Sequence, residues 1–427
     1  MKFTTSLRSG SVRWAAPVVL LLTFLYYVVG ETAPLSSYYH YAPTIVAEPL
    51  KTLYALAYAV AAALACWESG RLRSARIWAL APARSRYRIA ANVLAPVIVL
   101  SWCVLLVPPA ISLMRSATMP SLDSLRLPLA AMVLCVAHAI VGFAVGCWIP
   151  RVIATPILAV TDWITVAFTR AVLPYWPRHV SGQFGEIGFG EVPDLVTAAV
   201  PVMLAGGVAA GLMILWLPYG WRVLRVVVAA AVAVGGILGA YRTAVDWPHT
   251  PPLTGGHVAM KCAGSTPRMC VPEFNSSSLP EVQRDTANAL RVLRDAGATS
   301  AQPRLITDSY GDGRRRKAST DTVWRMVLTP PVQSGDAVYQ VVVRSLHFRC
   351  EQVDARTVHS AWLWAAVKTG QEKAYRKHRE REEGQDPLAQ ELAKQVQADV
   401  TRVLAEPQAE QTEWIRRMLD TCEAKTS

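Results

Sequence analysis

Charge is scarce in this sequence. Only 17% of its 427 residues are Asp, Glu, Lys or Arg, against about 25% in an ordinary soluble domain. Acidic residues are scarcest in the first part, where residues 1–245 hold 8 Asp+Glu beside 18 Lys+Arg. Residues 246–427 hold a balanced 23 and 25. Catalytic signatures are missing as well. There is no G-x-x-x-x-G-K-[ST] phosphate loop, whose backbone N–H groups and lysine hold nucleotide phosphates, and no H-E-x-x-H, G-x-S-x-G or S-x-x-K. The cysteines lack the C-x2–4-C spacing of structural zinc sites. These absences exclude an ordinary soluble enzyme, an ATPase within this chain and a zinc-built domain, and they imply no cofactor. The net charge of +12 does not point to nucleic acid, because +10 of it lies in the apolar part, where basic residues anchor helices at a membrane face.

What is present instead is hydrocarbon: 52% of the chain is hydrophobic and the mean hydropathy is +0.25. Apolar runs near the roughly 20 residues that cross a bilayer occur at 14–30, 49–67, 90–113, 127–149, 152–173, 195–217 and 224–240. Seven spans are expected, the first an uncleaved helix, since no small-residue cleavage site follows it. Basic residues concentrate at 1–13, in the connection after the second span, at Arg151 and at Arg222 and Arg225. Because cytoplasmic loops retain Lys and Arg, the N-terminus is expected in the cytoplasm, membrane lipids around the spans, and everything after the seventh span outside. The domains expected are thus a helical membrane bundle at 1–243 and a helix-dominated α+β extracytoplasmic domain at 244–427.

Cysteine usage agrees with that parity. Four cysteines fall in or beside the apolar runs, and four, Cys262, Cys270, Cys350 and Cys422, fall in the second domain. An even number outside suits disulfides. Three pairings exist, of which Cys262 with Cys270 and Cys350 with Cys422 is preferred, the first closing a short Gly/Pro-containing loop and the second tying the last helix back. Four free thiols would mean one span miscounted. Strands are expected at 258–262, 304–307 and 322–328, and helices at 279–295, 336–349, 355–381, 387–405 and 407–422. His347 and His359, with Glu351 and Asp354 between them, could form an acid/base or metal site, but surface histidines are the ordinary explanation.

Two ionisable residues lie deep in apolar spans, where charge is costly and points to function. His138 is twelve residues before Pro150 and Asp162 twelve after it, so at about 1.5 Å per residue both stand about 18 Å from one short turn. Either they bond each other across adjoining helices, or each is satisfied separately by backbone, water or another helix. Gly142 and Gly146 form a G-x-x-x-G that permits close helix packing.

The connection after the second span reads Glu68-Ser69-Gly70-Arg71-Leu72-Arg73-Ser74-Ala75-Arg76-Ile77-Trp78-Ala79-Leu80, then Pro82, Arg84 and Arg86. Its apolar residues among arginines suit a short amphipathic helix over 72–80 lying at the membrane surface, or a plain basic anchor. The acidic-x-Gly stretch, short helix and Pro/Arg turn leading into the third span resemble the permease subunits of ABC-2-type exporters. The Gly142–Gly146 segment, followed by Pro150-Arg151 and a span containing Pro156, resembles the fourth-to-fifth span hairpin of the same family. The likeness covers about residues 1–220. It implies a separate ATPase subunit docking on this connection, with Glu68, Arg71, Arg73, Arg76, Trp78, Arg84 and Arg86 as the ATPase-facing surface, and it leaves open a homodimer or a second permease subunit in the membrane. Such permeases usually have six spans, so the seventh and the domain it delivers are departures. A membrane-tethered extracytoplasmic enzyme, peptidase-like, and a ligand sensor are the alternatives, although seven spans are excessive for an anchor.

Overall fold

The computed structural model describes residues 10–30, 40–80, 85–218, 220–314, 317–329, 336–350, 352–383 and 386–421. The chain divides into two compact units, one ending at His257 and the other beginning at Val258. In the first, seven helices are long and apolar enough to cross a membrane among the described residues. They are α1 (Val12–Gly30), α2 (Ala42–Ser74), α3 (Arg86–Arg115), α4 (Arg126–Trp148), α5 (Arg151–Phe168), α7 (Leu195–Leu215) and α8 (Arg222–Ala244), with a short α6 (Trp176–Val180) between the fifth and sixth.

Helix α2 organises the unit. It has 33 residues, about 50 Å at 1.5 Å per residue, and packs against α1, α3, α4 and α5. Its alanines keep it slim, and Leu50, Leu53, Tyr54, Ala57, Tyr58, Ala61, Ala65 and Cys66 are buried. The helix starts earlier than the apolar run at 49–67 suggests, because Pro43 sits in its first turn, where the missing N–H costs nothing. It also ends later. The amphipathic helix expected over 72–80 is instead the last turn of α2, a reversal at Arg76 with φ +50°, and one 3₁₀ turn over Ile77–Leu80. The peripheral α5 and α8 present mostly apolar side chains outward, as bilayer-facing helices do.

The first domain was expected to end at residue 243. In fact β2 (Leu253–Gly255) pairs antiparallel with β1 (Glu191–Pro193), which keeps the chain through residue 257 in the first unit.

The second unit is an α+β fold. Its four-stranded sheet has the order β3 (Met260–Ala263), β4 (Arg268–Pro272), β5 (Leu305–Asp308), β6 (Val323–Met326), antiparallel for the first pair and parallel for the next two. Helix α9 (Leu279–Asp295) makes the crossover between β4 and β5 and buries Leu279, Val282, Leu290 and Leu293, the spacing of a helix face laid on a sheet. Helices α10 (Ala337–Ser345), α11 (Ala355–Lys368), α12 (Glu372–Glu383), α13 (Pro387–Leu404) and α14 (Gln408–Asp420) follow. The single helix expected over 355–381 is two, because Gly370 takes φ +73° and turns the chain. The core gathers Met269, Val271, Leu290, Leu293, Ile306 and Trp364. Cys262 and Cys270 stand directly opposite in the β3–β4 register and are disulfide-bonded. Cys350 is also disulfide-bonded, whereas Cys422 lies outside the described residues.

Candidate functional site: the arginine-rich helix ends

Short connections and alternating direction bring the start of α1, the end of α2, the start of α3, the α4–α5 turn and the end of α7 to one end of the first unit. Glu68 is 1% exposed there. Its carboxylate accepts from the backbone N–H of Ser11 at 2.5 Å, at the start of α1, and pairs with Arg71 Nη2 at 2.7 Å. A buried carboxylate is tolerable only when its charge is met by a partner and by donors such as the free N–H groups of a helix start. Glu68 therefore ties α2 to the entrance of α1 and does not face outward, contrary to the expectation for an ATPase-facing residue. Beside it, Gly70 lets the α4–α5 turn approach, since a Cβ there would lie 2.5 Å from Cβ of Arg151. The Arg151 guanidinium lies over Trp67, 4.7 Å from the ring centroid. Arg73 donates to the Cys147 carbonyl at 3.4 Å, and Ser69 Oγ lies 3.2 Å from Cys147 Sγ.

Trp78 also differs from its expected role. The reversal at Arg76 turns its indole inward, where it meets Trp216 edge-on at 5.3 Å. Trp216 meets Tyr87 and Phe143 in the same way, at 5.9 and 5.4 Å. Four aromatic rings from the α2–α3 connection, α3, α4 and the end of α7 thus form one cluster, and Trp78 is a packing residue within the unit. What remains outward is Arg76, Ala79, Leu80 and Arg86, with Leu80 71% exposed. Arg84 lies outside the described residues. Tyr87, Phe143 and Trp216 were not singled out from sequence; Tyr and Trp at span ends beside arginines were the available signal.

Gly142 and Gly146 face α2. A Cβ at Gly142 would overlap the Ala62 carbonyl oxygen and stand 2.7 Å from its carbon, and one at Gly146 would overlap the Cys66 carbonyl oxygen and stand 2.9 Å from Cβ of Ser69. Beyond the aromatic cluster, an apolar cavity of about 620 Å³ runs between α3, α4 and α7.

Deeper in the bundle, His138 Nδ1 lies 2.9 Å from Asp162 Oδ2, joining α4 to α5. The imidazole stacks on Tyr58 of α2 at 4.9 Å with the rings 8° from parallel. Tyr58 in turn donates to the Gly182 carbonyl at 3.3 Å. The two ionisable residues thus satisfy each other and leave an aromatic face on the bundle's central helix.

At the opposite end, the segment between α5 and α7 folds back over the helices. Gln183 Nε2 donates to the Lys51 carbonyl at 2.8 Å, and Tyr41 Oη to the Glu191 carbonyl at 3.0 Å. His179, buried in α6, donates Nε2–H to the Pro248 carbonyl at 2.9 Å and meets Trp247 edge-on. Burial lowers its pKa below the usual imidazole value. In the second unit, buried Asp308 accepts from Thr329 Oγ1 at 2.6 Å and from the N–H groups of Tyr310 and Leu328 at 2.8 and 3.1 Å. Burial nevertheless raises its pKa. Among the described residues no three His, Cys, Asp or Glu side chains gather as a metal would require. His359 lies 3.1 Å from Arg379 Nη1 and packs on Trp362, a structural setting.

No protein-family model, curated protein or solved structure matches this chain.

Proposed function

We propose that this chain is the membrane-spanning permease subunit of an ABC-type export system, energised by a separate ATPase subunit that docks at the arginine-rich helix ends. In this reading the chain sits in a bacterial cell membrane with its N-terminus and the α2–α3 connection in the cytoplasm and its second unit outside. The observation that carries the reading is the two-sided construction of that connection. One side offers Arg76, Leu80 and Arg86 to a partner, an apolar knob amid positive charge of the kind that anchors and steers association. The other side is fastened by Trp78 to Trp216, and through it to rings of α3 and α4. A bare charge anchor needs only the arginines. A lever needs both a grip for the partner and a stiff link to the spans, and the aromatic cluster supplies the link. The lack of a phosphate loop assigns nucleotide hydrolysis to another polypeptide.

The test is purification of the full-length tagged chain from the cells that naturally make it, in mild detergent. The expected result is stoichiometric recovery of a chain carrying a phosphate loop, with ATP hydrolysis in the purified complex. Recovery of the tagged chain with no nucleotide-binding chain and no hydrolysis would reject the reading.

A further inference from the structure

The cavity beneath the aromatic cluster has a shape that selects its occupant. On α3 its lining residues recur every third or fourth position from Tyr87 to Trp102, and on α4 from Val136 to Trp148, with Leu212 to Trp216 of α7 closing the far side. Fifteen residues of helix rise make it about 22 Å long on α3, and twelve make it about 18 Å on α4. It is therefore a slot. Its wall is hydrocarbon apart from a few polar atoms already engaged: Tyr87 Oη donates to the Met213 carbonyl at 2.6 Å, Trp102 Nε1 to the Met132 carbonyl at 3.1 Å, and Cys147 Sγ lies against Ser69. The slot is open along one side, where Val99, Met213 and Trp148 are 42, 43 and 69% exposed. A long, dry slot with a lateral opening suits an unbranched alkyl chain arriving from the bilayer.

One end of the slot carries the complementary charge. Arg225 at the start of α8 donates Nη1 to the Leu217 carbonyl, next to Trp216. Its Nε is buried and has no partner among the described residues. It sits within Coulomb range of the Tyr87 hydroxyl, and exposed Arg88 follows Tyr87 by one residue. Aromatic rings with arginines at a span end mark the headgroup level of a membrane.

We propose that this slot binds one alkyl chain of an anionic glycerophospholipid, with the headgroup at Arg225 and the chain running along α3 towards Trp102. The proposal rests on the function proposed above only for assigning that headgroup to the cytoplasmic leaflet. Its test needs no ATPase, so the two ideas fail separately.

The full chain is reconstituted in nanodiscs of phosphatidylethanolamine and phosphatidylglycerol containing a trace of phosphatidylglycerol with a mid-chain diazirine, photolysed and mapped by peptide mass spectrometry. Labelling is expected to concentrate at residues 94–99 of α3 and 136–140 of α4, above that at Val227 and Val234 of the outward face of α8. Unlabelled phosphatidylglycerol should compete better than phosphatidylethanolamine, and Arg225→Gln should reduce that preference about fivefold. Filling the slot with Ala95→Phe or Ala144→Phe should lower the label about tenfold or more, while Val227→Phe leaves it unchanged. If a filled variant fails to fold, the competition in the unaltered protein still decides. Labelling spread evenly over all bilayer-facing helices, or label that neither lipid displaces, overturns the proposal.

Discussion

Replacing Gly142 by alanine should destabilise the membrane unit, although alanine is the better helix former. The added methyl would overlap the backbone carbonyl of Ala62, and backbone cannot rotate away as a side chain end could. Restoring an ordinary contact distance requires α4 to move off α2 by about an ångström, which loosens the neighbouring Gly146 contact with Cys66 and Ser69 as well. Overpacking of this kind costs about 1–3 kcal/mol, against a propensity gain of about 1 kcal/mol. The net expectation is a loss of about 0–2 kcal/mol, up to several degrees of melting temperature for a unit of this size. Gly235 provides the control, since a Cβ there meets nothing within 4 Å, and Gly235→Ala should be neutral or slightly stabilising. Thermal unfolding of both variants in the same detergent, followed by tryptophan fluorescence, makes the comparison. Equal shifts for the two substitutions would show that the α2–α4 approach is not held by its glycines.

A double-mutant cycle of His138→Ala and Asp162→Asn should give a coupling of about 0.6–1.7 kcal/mol, the range of hydrogen bonds between membrane helices; a coupling near zero would mean that the residues are stabilised independently. For His179, the folded pKa lies below the unfolded one, so its contribution is full above about pH 6.5 and is lost as pH falls. The acid-induced loss of stability should be smaller in His179→Phe, and identical pH profiles would refute this. Asp308 has the opposite sign, its folded pKa being raised, so its contribution is full below about pH 4 and declines as pH rises. The stability of Asp308→Asn relative to the unaltered chain should therefore improve from pH 4 upward in urea unfolding of the second unit, and a pH-independent difference would contradict it.

Hydropathy made the spans legible because a bilayer-crossing helix is specified by its own residues. The depth match of His138 and Asp162 was legible for a related reason: a two-residue turn at Ile149-Pro150 makes equal offsets in sequence equal depths in the bundle. The connection after α2 was not readable in this way. Glu68, Arg71 and Arg73 look like the start of a polar loop, yet the helix continues through them, since Glu68 finds its partner at Ser11, 57 residues away. Trp78 among arginines reads equally well as an outward knob or an inward wedge. The left-handed turn at Arg76 decides between them. Strand β4 was missed because the five residues Arg268–Pro272 carry little periodic signal; its identity comes from pairing with β3 and with β5. The break at Gly370 was not read from the sequence, because strong helix formers flank it on both sides; its positive φ of +73° makes the turn.

The central claim, that the outward face of the α2–α3 connection grips an ATPase, is tested most directly by a photo-crosslinking amino acid placed at position 80 of the full chain in its own cells. The account predicts one discrete adduct with a polypeptide bearing a phosphate loop, lost when Arg76 and Arg86 are both changed to Glu, and absent when the probe replaces Val227 on the bilayer face of α8. A probe at position 80 that captures only lipid, or no nucleotide-binding polypeptide at all, would contradict it.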